Sequence, residues 1–121
     1  MRRSLTWLLA GGLGLSATPA WAVSDSDIAR YVAHSDRFDA QLPAPRLERL
    51  SRREKQRRAA CILRGMERQH GADGVEAALQ LIQVLSRGVE FDDPTIESFN
   101  GRYGSVYGRL VRRCTETAGG A

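Results

Sequence analysis

The stretch PAPRLERLSRREKQRRAACILRGMERQHG, residues 43–71, decides most of what can be predicted about the fold of this chain. Its two prolines, Pro43 and Pro45, break the helical pattern that precedes them, and Pro45 suits the first turn of a new helix. Apolar and charged residues then recur at helical spacing as far as Gly71, a residue type that commonly ends helices. The stretch therefore predicts a helix from about Pro45 to His70.

Three further helices are predicted around this one. The sequence SDSD at 24–27 can form a capping box and begin a first helix that ends before Gln41. DGVE at 73–76 can cap a third helix, which Gly88 would end. A fourth helix is expected to begin at the Asp-Pro pair at 93–94. No segment shows the alternation of apolar and polar residues that is typical of a β-strand. The predicted fold class is therefore all-α, a small bundle of about four helices.

The fourth predicted helix contains three glycines, Gly101, Gly104 and Gly108, on one flank. They either permit a close contact with another helix or mark a break, since an interior glycine costs a helix about 1 kcal/mol relative to alanine. The tail at 118–121 is small and weakly polar, and we expect it to be disordered.

Residues 1–22, MRRSLTWLLAGGLGLSATPAWA, have the layout of a cleaved signal peptide. A basic start is followed by an apolar run at 5–15, which is short for a membrane span of about 20 residues, and then by small residues before Ala22. We expect cleavage after Ala22, leaving a helical domain at 23–117. The Arg2-Arg3 pair leaves twin-arginine export open as an alternative route.

The compartment predicted from this signal is the bacterial periplasm or the medium. Because Val23 and not cysteine follows the predicted cleavage site, a lipid anchor on the new amino terminus is disfavoured. The chain after residue 22 contains 16 basic and 14 acidic residues, a net charge of +2. No apolar run in this part approaches membrane length, and we expect no transmembrane anchor in the mature form.

The mature chain contains two cysteines, Cys61 and Cys114. An oxidising compartment favours a disulfide between them, which would close a loop of about 50 residues and contribute roughly 3 to 4.5 kcal/mol. Cys114 also lies on the apolar stripe of the fourth predicted helix. The alternative is two free thiols, of which Cys61, next to basic residues, could be a nucleophile.

Arginines follow one side of the second predicted helix, opposite its apolar residues. Such a stripe is either a solvated face or a surface for an anionic partner. Export disfavours nucleic acid as that partner, and it leaves an acidic envelope protein or an anionic envelope surface. The candidate binding residues are Arg46, Arg49, Arg53, Arg57, Arg64 and Arg68.

No catalytic motif, metal-ligand spacing or cofactor signature occurs in the sequence, and we predict no catalytic, metal or cofactor residue. His34 with Asp36 and Asp39 is the best acid-base cluster, although ordinary helix surface explains it equally well. The function predicted is a small exported, non-enzymatic binding protein, such as an inhibitor, an immunity protein or a stress-protective protein. The alternative is a small secreted hydrolase that acts on lipid or cell wall.

Overall fold

The computed structural model of the protein describes residues 23–88 and 92–120, so the predicted signal peptide at 1–22 lies outside the described residues. The described chain is all-helical, as the sequence predicted, and two helices pack against a longer central one. The helices are α1 (Asp25–Asp39), α2 (Arg52–Ser86) and α3 (Pro94–Gly120), with a short 3-10 turn at Leu47–Arg49 before α2.

The predicted number of helices, about four, is wrong for the described residues, which contain three. The helical backbone is interrupted at Gly71, as the sequence predicted, but the interruption is a bend and not the end of the helix. Gly71 has φ of 70° and ψ of −157°, a conformation that glycine adopts without strain, and helix resumes at the next residue. Asp73 therefore lies inside α2 and does not cap a third helix.

The beginning of α2 also differs from the prediction. The helix begins at Arg52, after the 3-10 turn, because Ser51 and Glu54 form a complete capping box. Ser51 Oγ accepts from the Glu54 backbone N–H at 3.1 Å, and Glu54 Oε1 accepts from the Ser51 N–H at 2.7 Å. The S-x-x-E pattern at 51–54 was the sequence signal for this start.

Replacing Ser51 by alanine should lower the free energy of unfolding by about 1 kcal/mol, because the substitution removes the acceptor for an otherwise unpaired backbone N–H. Denaturant unfolding followed by circular dichroism measures this change. Ser105→Ala is the matched control, since Ser105 is exposed inside α3 and caps nothing. Equal effects of the two substitutions would contradict the capping role.

The other two helix starts agree with the sequence. The capping box of α1 is formed by Ser24 and Asp27. The backbone N–H of Thr95 donates to Asp93 Oδ1 at 2.8 Å, and α3 begins at Pro94. α3 runs unbroken past its glycines to Gly120, and Ala118 is buried. The helix thus includes residues 118–120, where the sequence predicted disorder.

The core lies along α2, where both neighbouring helices meet it. Among the largest fully buried side chains, one comes from α1, one from α3 and the others from α2; they are Tyr31, Ile62, Leu63, Met66, Leu79 and Cys114. None of the helices in the described ranges combines the length and the apolar character needed to cross a bilayer.

The disulfide predicted between Cys61 and Cys114 is present, with the two Cα atoms 5.7 Å apart. It joins α2 to α3 along their seam, which is narrow enough that a Cβ added at Gly65 would lie 2.4 Å from Leu110 Cδ2. The contacts show that the two helices are antiparallel, because Arg58 bonds Thr115 whereas Gly65 meets Leu110.

Candidate functional site

Four of the six candidate arginines lie on one side of α2. At about 100° per residue, the positions 53, 57, 64 and 68 fall within about 60° of one another, and all four side chains are exposed. Arg57 also reaches the end of α3, where its Nη2 donates to the Ala118 carbonyl at 3.4 Å. The stripe predicted from the sequence is therefore present on α2 in a shortened form.

The other two candidates, Arg46 and Arg49, do not continue this stripe. Arg46 is the N-cap residue of the 3-10 turn and Arg49 is its last residue. Both lie before Ser51 and outside α2, so the helical phase counted from Pro45 does not apply to them. Both are exposed. The prediction that all six arginines share one helix face is wrong, because the capping box starts the helix seven residues later than the proline suggested.

Two arginines of α3 extend the stripe across the α2–α3 seam. Arg109 and Arg113 are exposed and lie about 40° apart on α3. Thr115 marks the side of α3 that faces α1, because it accepts a hydrogen bond from Arg58, which also bonds Ser35 of α1. Arg109 and Arg113 lie on the other flank of α3. We use the name basic face for this side of the α2–α3 pair, which carries Arg53, Arg57, Arg64, Arg68, Arg109 and Arg113.

The arginines of the basic face have no acidic partner in the described part of the chain. Among residues 23–88 and 92–120, ion pairs join Arg30 to Asp27 and Lys55 to Asp36, and both pairs involve residues outside the basic face. Exposed charges of one sign that neutralise nothing within the chain create a positive field available to a partner.

A second feature lies on the α1 side of the bundle, where α1, the 40–47 segment, α2 and α3 enclose a cleft of about 820 Å³. Its walls are largely apolar and come from all of these segments: Phe38, Leu42, Leu47, Ile82, Leu85 and Val111. A volume of this size and this lining are typical of small-molecule sites.

The cleft contains a buried arginine, Arg58, which the sequence analysis did not single out. Its side chain is 9% exposed. Nε donates to Thr115 Oγ1 at 2.7 Å, and Nη1 donates to Ser35 Oγ at 3.1 Å. Both partners are neutral hydroxyls. Its burial could have been predicted from its position one turn before Ile62, because this position lies on the apolar side of the helix and not on the arginine-rich side.

Two tyrosines lie beside Arg58 in the cleft and bond each other. The hydroxyl of Tyr31 is hydrogen-bonded to that of Tyr107. Burial raises the pKa of Tyr31 and raises the pKa of Tyr107 well above its usual value, while the charge of Arg58 opposes both shifts. Both phenols therefore keep their protons at neutral pH. One hydroxyl hydrogen forms the mutual bond, and the other has no acceptor among the described residues.

The acidic residue buried at the cleft, Asp39, is engaged elsewhere. Its carboxylate accepts from the backbone N–H groups of Arg46 at 3.1 Å and Leu47 at 2.9 Å, which fixes the 3-10 turn. It makes no ion pair with Arg58. Glu116 and the arginines Arg46 and Arg112 line the exposed rim.

The acid-base cluster suggested by the sequence is not assembled. Asp36 pairs with Lys55, and Asp39 binds the 3-10 turn. His34 Nδ1 instead accepts from Arg37 Nη2 at 2.8 Å, with Ser86 Oγ 3.3 Å away. Desolvation lowers the pKa of His34, and nearby arginines lower it further. Because Ser86 Oγ donates to the Gln83 carbonyl, this pair does not present an activated nucleophile.

Two other polar side-chain atoms are enclosed without a hydrogen-bond partner among the described residues, Glu67 Oε2 and His70 Nε2. They lie one turn apart on α2, and the His70 ring packs edge-on against Tyr103. The described ranges contain no group of three or more His, Cys, Asp or Glu side chains placed to hold a metal ion.

The described residues form three helices joined by a disulfide, with a basic face on the α2–α3 pair and a cleft that contains Arg58 on the α1 side. Comparison of the chain with models of protein families, with curated proteins and with solved structures gives no match.

Proposed function

We propose that this is a small exported, non-enzymatic binding protein of the cell envelope, whose basic face meets an anionic partner. An inhibitor, an immunity protein and a stress-protective protein are all of this kind. The observation that carries the proposal is the basic face itself: six exposed arginines on the outer side of the α2–α3 pair, none of which forms an ion pair in the described chain.

Export is part of this proposal, and it rests on the layout of residues 1–22, with cleavage before Val23. The disulfide is consistent with export, because such bonds persist in oxidising compartments. The same compartment keeps the protein away from most of the cell's nucleic acid, so the anion that the basic face meets belongs to the envelope.

An acidic face on another envelope protein fits the basic face better than a lipid surface does. Helices that lie in a membrane interface bury aromatic and large apolar residues below their basic side chains. On α3 the aromatic residues Phe99 and Tyr103 are buried in the bundle and are not presented beside Arg109 and Arg113. Electrostatic complementarity between two proteins needs no such anchor.

Reversing the charge of two face residues, Arg64→Glu and Arg68→Glu, should weaken partner binding by at least about tenfold at low salt, because attraction then becomes repulsion. Capture from a periplasmic extract by immobilised wild-type and variant protein, quantified by mass spectrometry, measures the change. Helical circular dichroism should be unaltered, since exposed charge changes usually shift stability by less than about 0.5 kcal/mol.

The matched control reverses two exposed arginines outside the basic face, Arg30→Glu and Arg87→Glu, and changes the net charge by the same amount. We expect this variant to retain its partner. An equal loss of partner binding in both variants would show that binding depends on net charge alone and would contradict the proposal. Partner capture that is unchanged in both variants would also contradict it. If the wild-type protein binds anionic vesicles and captures no protein, the partner of the basic face is a lipid surface.

A further inference from the structure

From the cleft on the α1 side we infer a second binding site: it binds a single-chain amphiphile whose oxyanion head, a carboxylate or a phosphate, pairs with Arg58. This inference concerns residues on the opposite side of the bundle from the basic face and does not depend on the proposed function.

The first reason is that Arg58 is a buried cation without a counter-ion in the described chain. Removing a charged group from water costs several kcal/mol unless an opposite charge and hydrogen bonds replace the lost hydration. Ser35 and Thr115 supply two neutral acceptors, and the described residues supply no carboxylate. An anion that reached the guanidinium would supply the missing charge.

The second reason is that Arg58 lines the cleft and has an unused donor. Its Nη2 donates no hydrogen bond to the described residues. Because Arg58 is part of the cleft wall, a ligand in the cleft lies next to its guanidinium. An oxyanion there could accept from Nη2 and from the hydroxyl hydrogen that the Tyr31–Tyr107 pair leaves free.

The third reason specifies the rest of the ligand. Most of the remaining lining of the 820 Å³ cleft is aliphatic or aromatic, and it includes Phe38, Leu42, Ile82 and Val111. Of its two acidic residues, Asp39 is bonded to the backbone at 46 and 47, and Glu116 lies at the exposed rim. A bare inorganic anion would leave these apolar walls in water, whereas an alkyl chain would cover them and gain hydrophobic free energy with each buried methylene group. The combination selects an anionic head joined to an apolar chain.

Three probes distinguish a carboxylate head group from a phosphate head group and from an uncharged one. Decanoate offers a carboxylate, as a fatty acid does, and decyl phosphate offers the head of a single-chain phospholipid. Decanol has the same chain and no charge. Titration calorimetry of the protein isolated from its native host should give saturable one-to-one binding of decanoate, decyl phosphate or both, and much weaker binding of decanol.

Arg58→Gln should weaken binding of the anionic probe by about 10- to 100-fold, because it removes charge-assisted hydrogen bonds worth about 1.5 to 3 kcal/mol. Its effect on decanol should be small. Arg87→Gln is the matched control, since Arg87 is exposed directly after α2 and does not line the cleft, and we expect less than about a threefold change. Arg58→Lys, which retains the charge, should recover part of the affinity.

Tyr107→Phe keeps the ring and removes a hydroxyl, and it provides a second variant in case Arg58→Gln fails to fold. It should weaken the anionic probe several-fold and leave decanol unchanged. The inference is overturned if the native protein binds neither anionic probe up to millimolar concentration. It is also overturned if decanol binds as tightly as decanoate, or if Arg58→Gln and Arg87→Gln have equal effects.

Discussion

Replacing both Cys61 and Cys114 by serine is expected to lower the free energy of unfolding by about 2 to 5 kcal/mol. The bridge spans 53 positions of the sequence and joins α2 to α3 across the core, where Cys114 is fully buried. Without it, the unfolded chain regains the conformational freedom of a long open loop. Because a domain of this size is stable by only about 5 to 15 kcal/mol, the loss should be a large fraction of the total.

Denaturant unfolding of the double variant and of the wild type, each with and without reductant, measures the effect. Reduced wild type should resemble the variant, and reductant should not affect the variant. Thiol titration of the unfolded, unreduced wild type should find no free thiol, since both described cysteines are bonded. Two reactive thiols, or a double variant as stable as the wild type, would contradict the structural role of the disulfide.

Gly65→Val should destabilise the protein by about 1 to 3 kcal/mol, the usual cost of overpacking a core. Gly65 is buried at the α2–α3 seam, where even a Cβ would lie 2.4 Å and 2.9 Å from the two terminal carbons of Leu110. The branched side chain of valine adds two methyl groups to this clash. Chemical denaturation gives the change directly.

The matched control is Gly101→Val, because Gly101 is exposed in α3 and a Cβ there would meet nothing within 4 Å. We expect a shift of less than about 0.5 kcal/mol. Combining Gly65→Val with Leu110→Ala should cost less than the sum of the two single changes, since the smaller residue makes room for the larger one. Strict additivity, or a Gly65 variant as stable as the control, would show that the seam is not tightly packed there.

The parts of the fold that local sequence determines could be predicted. The capping box at Ser24 and the Asp-Pro start at 93–94 are local, and each requires only a few neighbouring residues. The disulfide was predictable because two cysteines in an oxidising compartment have one possible partner each. Gly71 was correctly predicted to break the helical backbone, but its sequence pattern does not show that helix resumes at the next residue, which leaves one bent helix in place of two separate ones.

The candidate sites were predictable to different degrees. The α2 part of the basic face follows from helical periodicity alone, and its apparent extension to Arg46 and Arg49 failed because the helix begins at Arg52. The cleft could not be predicted, because four separate segments form it and α1 places Tyr31 beside Tyr107, 76 residues later. Arg58 becomes a candidate binding residue only because the fold buries it in this cleft.

The central claim, that the basic face meets an anionic partner in the envelope, is tested most directly by photo-crosslinking in intact cells of the native host. A photoreactive residue at position 64 lies on the basic face, and one at position 26, exposed on α1, is the control. We predict one major adduct from position 64, formed with an acidic envelope protein, and none with that protein from position 26. Equal adducts from both positions, or no adduct from position 64 while the protein is present in the periplasm, would contradict the claim.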